Sequence, residues 1–146
     1  MNGRALGVDP GTKRIGLALS DPLGVTAQPI GHLDCVGSRR DLDNIADRAR
    51  EHDVRTVVIG LPLTLAGEEG PASAAARRIA EGLERRLPGV RIELWDERLT
   101  TAQAERTMID GMQRRAKRRK KIDSLAATLI LQSWLDARAY ERTESD

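Results

Sequence analysis

Three carboxylates stand where the chain changes direction: Asp9, Glu97 and Asp123. Asp9 closes the apolar run Leu6-Gly7-Val8 and precedes the turn pair Pro10-Gly11, where proline presets φ and glycine is expected to take φ > 0. It therefore sits at the end of a buried strand, where a carboxylate is costly unless paired or bound to a cation. Glu97 follows a strand-like run over 90–95, and Asp123 opens a helical pattern that continues to Tyr140. Ligands gather beyond the strand ends of an open sheet. If the first and last strands are neighbours, the three carboxylates converge. Such a cluster repels itself unless divalent cations neutralise it. Hard oxygen donors suit Mg²⁺ or Mn²⁺. Two such ions ~3.5–4 Å apart can activate water and stabilise the leaving oxygen of a phosphodiester.

Each carboxylate also has an ordinary structural use. Asp9 can cap an Asx turn, Glu97 can pair with Arg98 or Arg106, and Asp123 can be an N-cap. Asp96 is a weaker fourth candidate, because side chains alternate and only one of Asp96 and Glu97 faces the Asp9 side. Cations cluster nearby. Lys13 and Arg14 follow Asp9, Arg98 follows Glu97, and all three are candidate contacts to nucleic-acid phosphates; for Lys13 and Arg14 the plainer use is a surface charge at the strand edge. Arg114, Arg115, Lys117, Arg118, Arg119, Lys120 and Lys121 form a run that ends just before Asp123. Like charges at that density disfavour a quiet helix. The run is expected to be mobile and to hold nucleic-acid phosphates; its plainer alternative is a solvated connector. His32 and His52 lack spaced partners, and the single cysteine, Cys35, excludes an internal disulfide.

The elements that must position these groups follow from periodicity and turn chemistry. Strands are expected over 6–9, 15–19 and 25–33, the last broken by Pro29 and so at an edge. A helix begins at Ser38 with a capping-box variant. The β-branched run 56–60 reads as a buried central strand. A helix over 71–87 follows the loop 61–71, then the strand 90–95, a helix from Thr100 to about Ile109, and the last helix 123–140, with Glu141–Asp146 a polar tail. A meander followed by alternating helices and strands implies an α/β fold with one mixed five-stranded sheet. Three strands form the antiparallel meander, the later strands are parallel, and helices cover both faces. This is the order of the ribonuclease H-like architecture. A dinucleotide-binding fold fits less well, since no GxGxxG opens a helix.

The chain has 146 residues, 40% hydrophobic and 32% charged, with a net charge of +2. That length suits a single domain over 1–140. No apolar run approaches a membrane span, and Met1-Asn2-Gly3-Arg4 leads straight into strand, so a cytoplasmic protein without membrane association is expected. Two tryptophans, one tyrosine and no phenylalanine argue against a base-stacking platform.

Four motifs carry a resemblance. They are Gly7-Val8-Asp9-Pro10-Gly11-Thr12-Lys13-Arg14-Ile15-Gly16, Gly60-Leu61-Pro62-Leu63, Trp95-Asp96-Glu97-Arg98-Leu99-Thr100-Thr101 and Lys121-Ile122-Asp123-Ser124-Leu125-Ala126-Ala127, the last leading into Leu129–Leu135. In this order the chain resembles the YqgF family of Holliday-junction-resolvase-like nucleases, also described as pre-16S rRNA nucleases, which share the ribonuclease H-like fold with the RuvC resolvases. The resemblance implies Asp9, Glu97 and Asp123 as metal-binding catalytic residues of a divalent-metal-dependent nuclease. It implies RNA or DNA as partner, in pre-16S rRNA 5′-end processing or in cleavage of branched or single-stranded DNA, with pre-ribosomal particles as further partners. A monomer and a homodimer are both open. One departure touches the loop, where Thr64 and Ala66 replace the family's usual amide and acid. Two other functions compete: a non-catalytic RNA-binding ribosome-maturation factor, and an ATP-binding domain of the actin and sugar-kinase type.

Overall fold

The computed structural model describes residues 3–100 and 119–145, with side chains over 3–100 and 124–141. Five strands form one sheet: β1 (Arg4–Pro10), β2 (Arg14–Ser20), β3 (Ala27–Asp34), β4 (Val54–Leu61) and β5 (Arg91–Asp96), in the order β3-β2-β1-β4-β5. β1–β2 and β2–β3 are antiparallel; β1–β4 and β4–β5 are parallel. The expected mixed sheet is therefore present, and β3 lies at an edge, with its register shifting beside Pro29.

One expectation is corrected. The first and last strands are not neighbours, because β4 lies between β1 and β5. Two strand spacings, about 9–10 Å, thus separate the backbones that carry Asp9 and lead to Glu97.

Helices α1 (Ser38–Glu51) and α2 (Pro71–Arg86) cover one face, and α3 (Arg119–Ser145) covers the other. The alternation of β4 shows why both are needed. Val57, Ile59 and Leu61 join Leu6, Val8, Ile15 and Leu17 in the core under α1 and α2. Val58 joins Ala5, Ala18, Ala127, Ile130, Leu131, Trp134 and Leu135 under α3. A fully buried side chain of this size contributes roughly 1.5–3 kcal/mol, so both faces hold the sheet. Between α1 and α2, Gly82 makes room for Leu42, whose Cδ1 would lie 2.5 Å from an added Cβ.

Three local details differ from the sequence reading. Pro10 is the last residue of β1, paired with Ile15, so the hairpin loop is Gly11-Thr12-Lys13. Gly11 does not take positive φ; an added Cβ would instead lie 2.2 Å from the Arg14 carbonyl oxygen. Close backbone approach, not handedness, requires glycine there. Helix α1 has Gly37 at its N-cap and no side-chain cap; Asp41 Oδ1 accepts from the Val36 N–H at 2.9 Å instead.

Helix α3 is already formed at Arg119, the first described residue of this stretch, rather than beginning at Asp123, and it runs through Ser145. Asp123 therefore lies inside the helix and is not its N-cap. Arg119, Lys120 and Lys121 are helical rather than part of a loose connector. Residues 114–118 of the basic run and the helix expected from 101 to 109 lie outside the described residues. The polar residues of α3 are not simply solvated. Gln132 Oε1 accepts from the Ala27 N–H and Nε2 donates to the Val25 carbonyl, both at 2.9 Å, which ties α3 to the start of β3. Among the described residues no helix is long and apolar enough to cross a membrane.

Candidate active site

Strand alternation sets which carboxylates meet. Leu6 and Val8 point into the α1/α2 core, while Ala5 lies under α3. An added Cβ on Gly7 would lie 2.8 Å from Leu131 Cβ and 3.0 Å from the Ala127 carbonyl oxygen. Asp9 follows Gly7 by two and shares the α3 face. On β5, Glu93 and Trp95 face α3: Trp134 Nε1 donates to Glu93 Oε2, and Trp95 Nε1 donates to Ser133 Oγ, each at 3.2 Å. Asp96 then points to the other side and Glu97 back to the α3 side, as alternation predicts.

The gap left by the intervening strand is closed through Gly60. An added Cβ on Gly60 would lie 2.7 Å from Glu97 Oε1 and 2.7 Å from Ile130 Cδ1. Glu97 therefore reaches across β4 where that strand has no side chain. The sequence places Gly60 at the end of the central strand and in a motif but does not mark it as the crossing point for Glu97; the available signal is a glycine closing an otherwise β-branched strand.

The Glu97 backbone is firmly placed. Glu97–Leu99 form a short 3₁₀ turn, and Asp96 Oδ1 accepts from the Arg98 N–H at 2.9 Å. Thr100 Oγ1 donates to the Glu97 carbonyl at 2.6 Å, and Ser133 Oγ donates to the Leu99 carbonyl at 3.0 Å. The last contact pins the turn to α3.

The electrostatics of Glu97 have three named causes. Burial pushes the Glu97 carboxyl up, and the charges of Asp9 and then Asp96 push it further. Asp96 moves the opposite way, held down chiefly by hydrogen bonds from Arg98. Glu97 thus lies in a net negative field from Asp9 and Asp96, and hard oxygen donors in that setting suit a dication. Among the described residues no three His, Cys, Asp or Glu form a metal-holding group. The Asp123 side chain lies outside the described residues. Its backbone is helical, four residues before Ala127. Trp134 lies at Glu93 and Ile130 at Gly60, so α3 runs antiparallel to the parallel strands. From Gly7 to Asp9 the strand advances about 6.6 Å; from Ala127 back to Asp123 the helix advances about 6 Å in the same direction.

The raised Glu97 carboxyl carries a stability consequence. A group whose folded-state pKa is raised adds stability that is complete below its unfolded value, ~4.3, and lost as pH rises through the folded value. Without divalent ions, Glu97→Gln should therefore melt higher than the parent at pH 7, and the two should converge below about pH 4. Thermal melts in chelator across that range check this; a lower-melting variant at pH 7 would contradict the burial argument.

Among the remaining candidates, Lys13 is exposed in the hairpin loop, and Arg14 Nε lies 3.9 Å from Asp34 Oδ1. The Arg98 guanidinium is engaged by Asp96, with Nη2 2.8 Å from Oδ2, and reaches the Leu65 carbonyl.

Comparison with known proteins places nearly the whole chain in a family. The family described as RuvX, Holliday junction resolvase, matches residues 3–137. A Myxococcus xanthus protein named "Putative pre-16S rRNA nuclease" is 50% identical over 134 residues, covering 92% of this chain and 88% of that protein. A Lactococcus lactis protein of the same name is 45% identical over 143 residues, covering 97% and 99%. Among solved structures, Thermus thermophilus RuvC in complex with a Holliday junction substrate aligns with a TM-score of 0.62 at 12% identity, over 94% of this chain and 96% of that one. The fowlpox virus resolvase in complex with junction DNA gives 0.58 at 14% identity, over 92% and 97%. At these identities the structures speak for the ribonuclease H-like fold.

Proposed function

Because this chain belongs to the RuvX family of Holliday junction resolvases and is a nuclease of ribonuclease H-like fold, we propose that it hydrolyses phosphodiester bonds with divalent ions held by Asp9, Glu97 and Asp123. The observation that carries this reading is Glu97 lying across Gly60 within the field of Asp9. Two half-buried carboxylates that raise one another's proton affinity at a strand end are the donor set a divalent cation favours. Bound Mg²⁺ or Mn²⁺ would polarise the scissile phosphate and lower the pKa of an attacking water. The chain's own part is to hold the oxygen donors. Asp9 is fixed by β1, Glu97 by the 3₁₀ turn pinned to Ser133, and Asp123 is carried towards them by α3.

The substrate we propose is precursor 16S rRNA, since the relatives at 50% and 45% identity carry that name. Junction DNA is the second reading, favoured by the family's description. Resolving a four-way junction would need two active sites and so a two-fold dimer. A panel of precursor rRNA, single-stranded RNA, single-stranded DNA and a four-way junction separates these. Cleavage of the rRNA should require Mg²⁺ or Mn²⁺ and stop with chelator. Metal-independent cleavage, or none of any substrate, would sink the proposal.

The basic run is proposed to bind phosphates flanking the cut. Each phosphate neutralised on a single strand steepens the dependence of log K on log salt by ~0.7. If about half the run engages, it accounts for a slope of roughly −2 to −3. Replacing Arg118, Arg119, Lys120 and Lys121 with Ala should weaken binding alike for all sequences and flatten that slope. Cleavage at saturating substrate should fall less. Unchanged affinity and slope would make the run a solvated connector.

A further inference from the structure

The loop between β4 and α2 comes close to the Glu97 end of β5, and one side chain joins them. Each end of this loop is anchored to α2. Ser73 Oγ donates to the Pro62 carbonyl. Arg77 forks onto Glu69, with Nε at 2.7 Å from Oε1 and Nη2 at 2.5 Å from Oε2. Between these anchors the loop closes on itself. Thr64 N–H donates to the Glu68 carbonyl at 3.0 Å, Gly67 N–H to the Thr64 carbonyl at 2.8 Å, and Glu68 N–H to Thr64 Oγ1 at 3.0 Å. The threonine that departs from the family's usual amide thus supplies a closing acceptor. The tip is Leu65, 97% exposed.

Arg98 is the side chain from outside that reaches the tip. Nε lies 3.1 Å from both Asp96 oxygens, Nη2 lies 2.8 Å from Oδ2, and Nη1 donates to the Leu65 carbonyl at 3.4 Å. Gly67 has φ +83°, and an added Cβ there would lie 3.2 Å from Nη1. The positive φ favours glycine at this position, and the guanidinium lies against it. Asp96 and Arg98 bracket Glu97 while it faces the opposite way.

We propose that Arg98 is a positioning residue: fixed by Asp96, it holds the 62–70 loop in register with the carboxylate end of β5 and so sets where nucleic acid passes relative to Asp9 and Glu97. A planar guanidinium can bind a carboxylate along one edge and a carbonyl from its remaining nitrogen, which a lysine ammonium cannot reproduce. The role differs from direct phosphate binding, the use expected of Arg98 from its place in the sequence. The effect on substrate rests on the nuclease reading; the effect on the loop does not.

The test uses the full chain and the variants Arg98→Lys, Arg98→Gln and Asp96→Asn. Without substrate, hydrogen exchange is followed at the amides of Thr64, Gly67 and Glu68. All three variants should exchange there roughly tenfold faster, as expected on losing one charge-assisted hydrogen bond, with β4 and β5 amides unchanged. With substrate, KM should rise more than kcat falls, and the salt slope of binding should stay that of the parent. Unchanged exchange at the three amides would overturn the proposal. So would an Arg98→Gln variant that flattens the slope by ~0.7 while Asp96→Asn is neutral, since that is a direct phosphate contact. If the parent cleaves nothing, the nuclease reading fails, and the exchange rates still decide the role of Arg98.

Discussion

Asp9→Asn is expected to lower cleavage by at least ~100-fold, the upper range seen on losing even an outer partner of a metal site. The amide keeps the size and one oxygen of the carboxylate but loses its charge, which is what a dication requires. Nucleic-acid affinity should change little, because Lys13, Arg14 and the basic run remain. The melting temperature in chelator should hold or rise. Glu97 is pushed up partly by the Asp9 charge, and neutralising one of two crowded carboxylates relieves that repulsion. The informative measurement is therefore a three-way comparison of single-turnover cleavage, binding and thermal melt. Loss of all three together would mean misfolding. Cleavage near the parent rate would place the reaction elsewhere in the molecule.

Gly60→Ala is the second large effect. The added methyl group would stand 2.7 Å from Glu97 Oε1 and 2.7 Å from Ile130 Cδ1, distances at which both side chains must give, Glu97 the more easily. Ile130 is 3% exposed and held in the core under α3, whereas Glu97 has solvent on its open side. The carboxylate is therefore displaced from the position that faces Asp9. Overpacking of this kind costs about 1–3 kcal/mol of stability, and moving a ligand of the reacting site should cost a further ~10–100-fold in cleavage. Gly82→Ala is the matched control. Its Cβ would lie 2.5 Å from Leu42 Cδ1, an overlap of similar severity on the opposite side of the sheet. It should lower the melting temperature or leave it unchanged and keep the parent kcat wherever the protein is folded. If Gly60→Ala also keeps the parent kcat, Glu97 does not need the space above β4.

Much of this was legible in the chain itself. Alternation and β-branching located all five strands to within a few residues. The same alternation assigned Asp96 and Glu97 to opposite faces, and the structure shows Asp96 with Arg98 and Glu97 over Gly60. These are local properties. A strand's period and a turn's residue types are fixed by steric rules acting over two to five residues, so neighbouring sequence is enough to read them.

Tertiary structure alone decided how the carboxylates meet. Periodicity does not state strand order, and the placement of β4 between β1 and β5 put a whole strand in the path from Asp9 to Glu97. The approach is possible because residue 60 lacks a Cβ, and that matters only once a residue 37 positions later folds across it. The Arg98 hydrogen bond to the Leu65 carbonyl spans 33 residues. It gives a candidate phosphate contact a structural partner within the chain. In each case the sequence determined which groups were available on each face. Close packing between segments distant along the chain determined which of them touch, because a contact of 3 Å depends on the positions of both backbones and on what is missing between them.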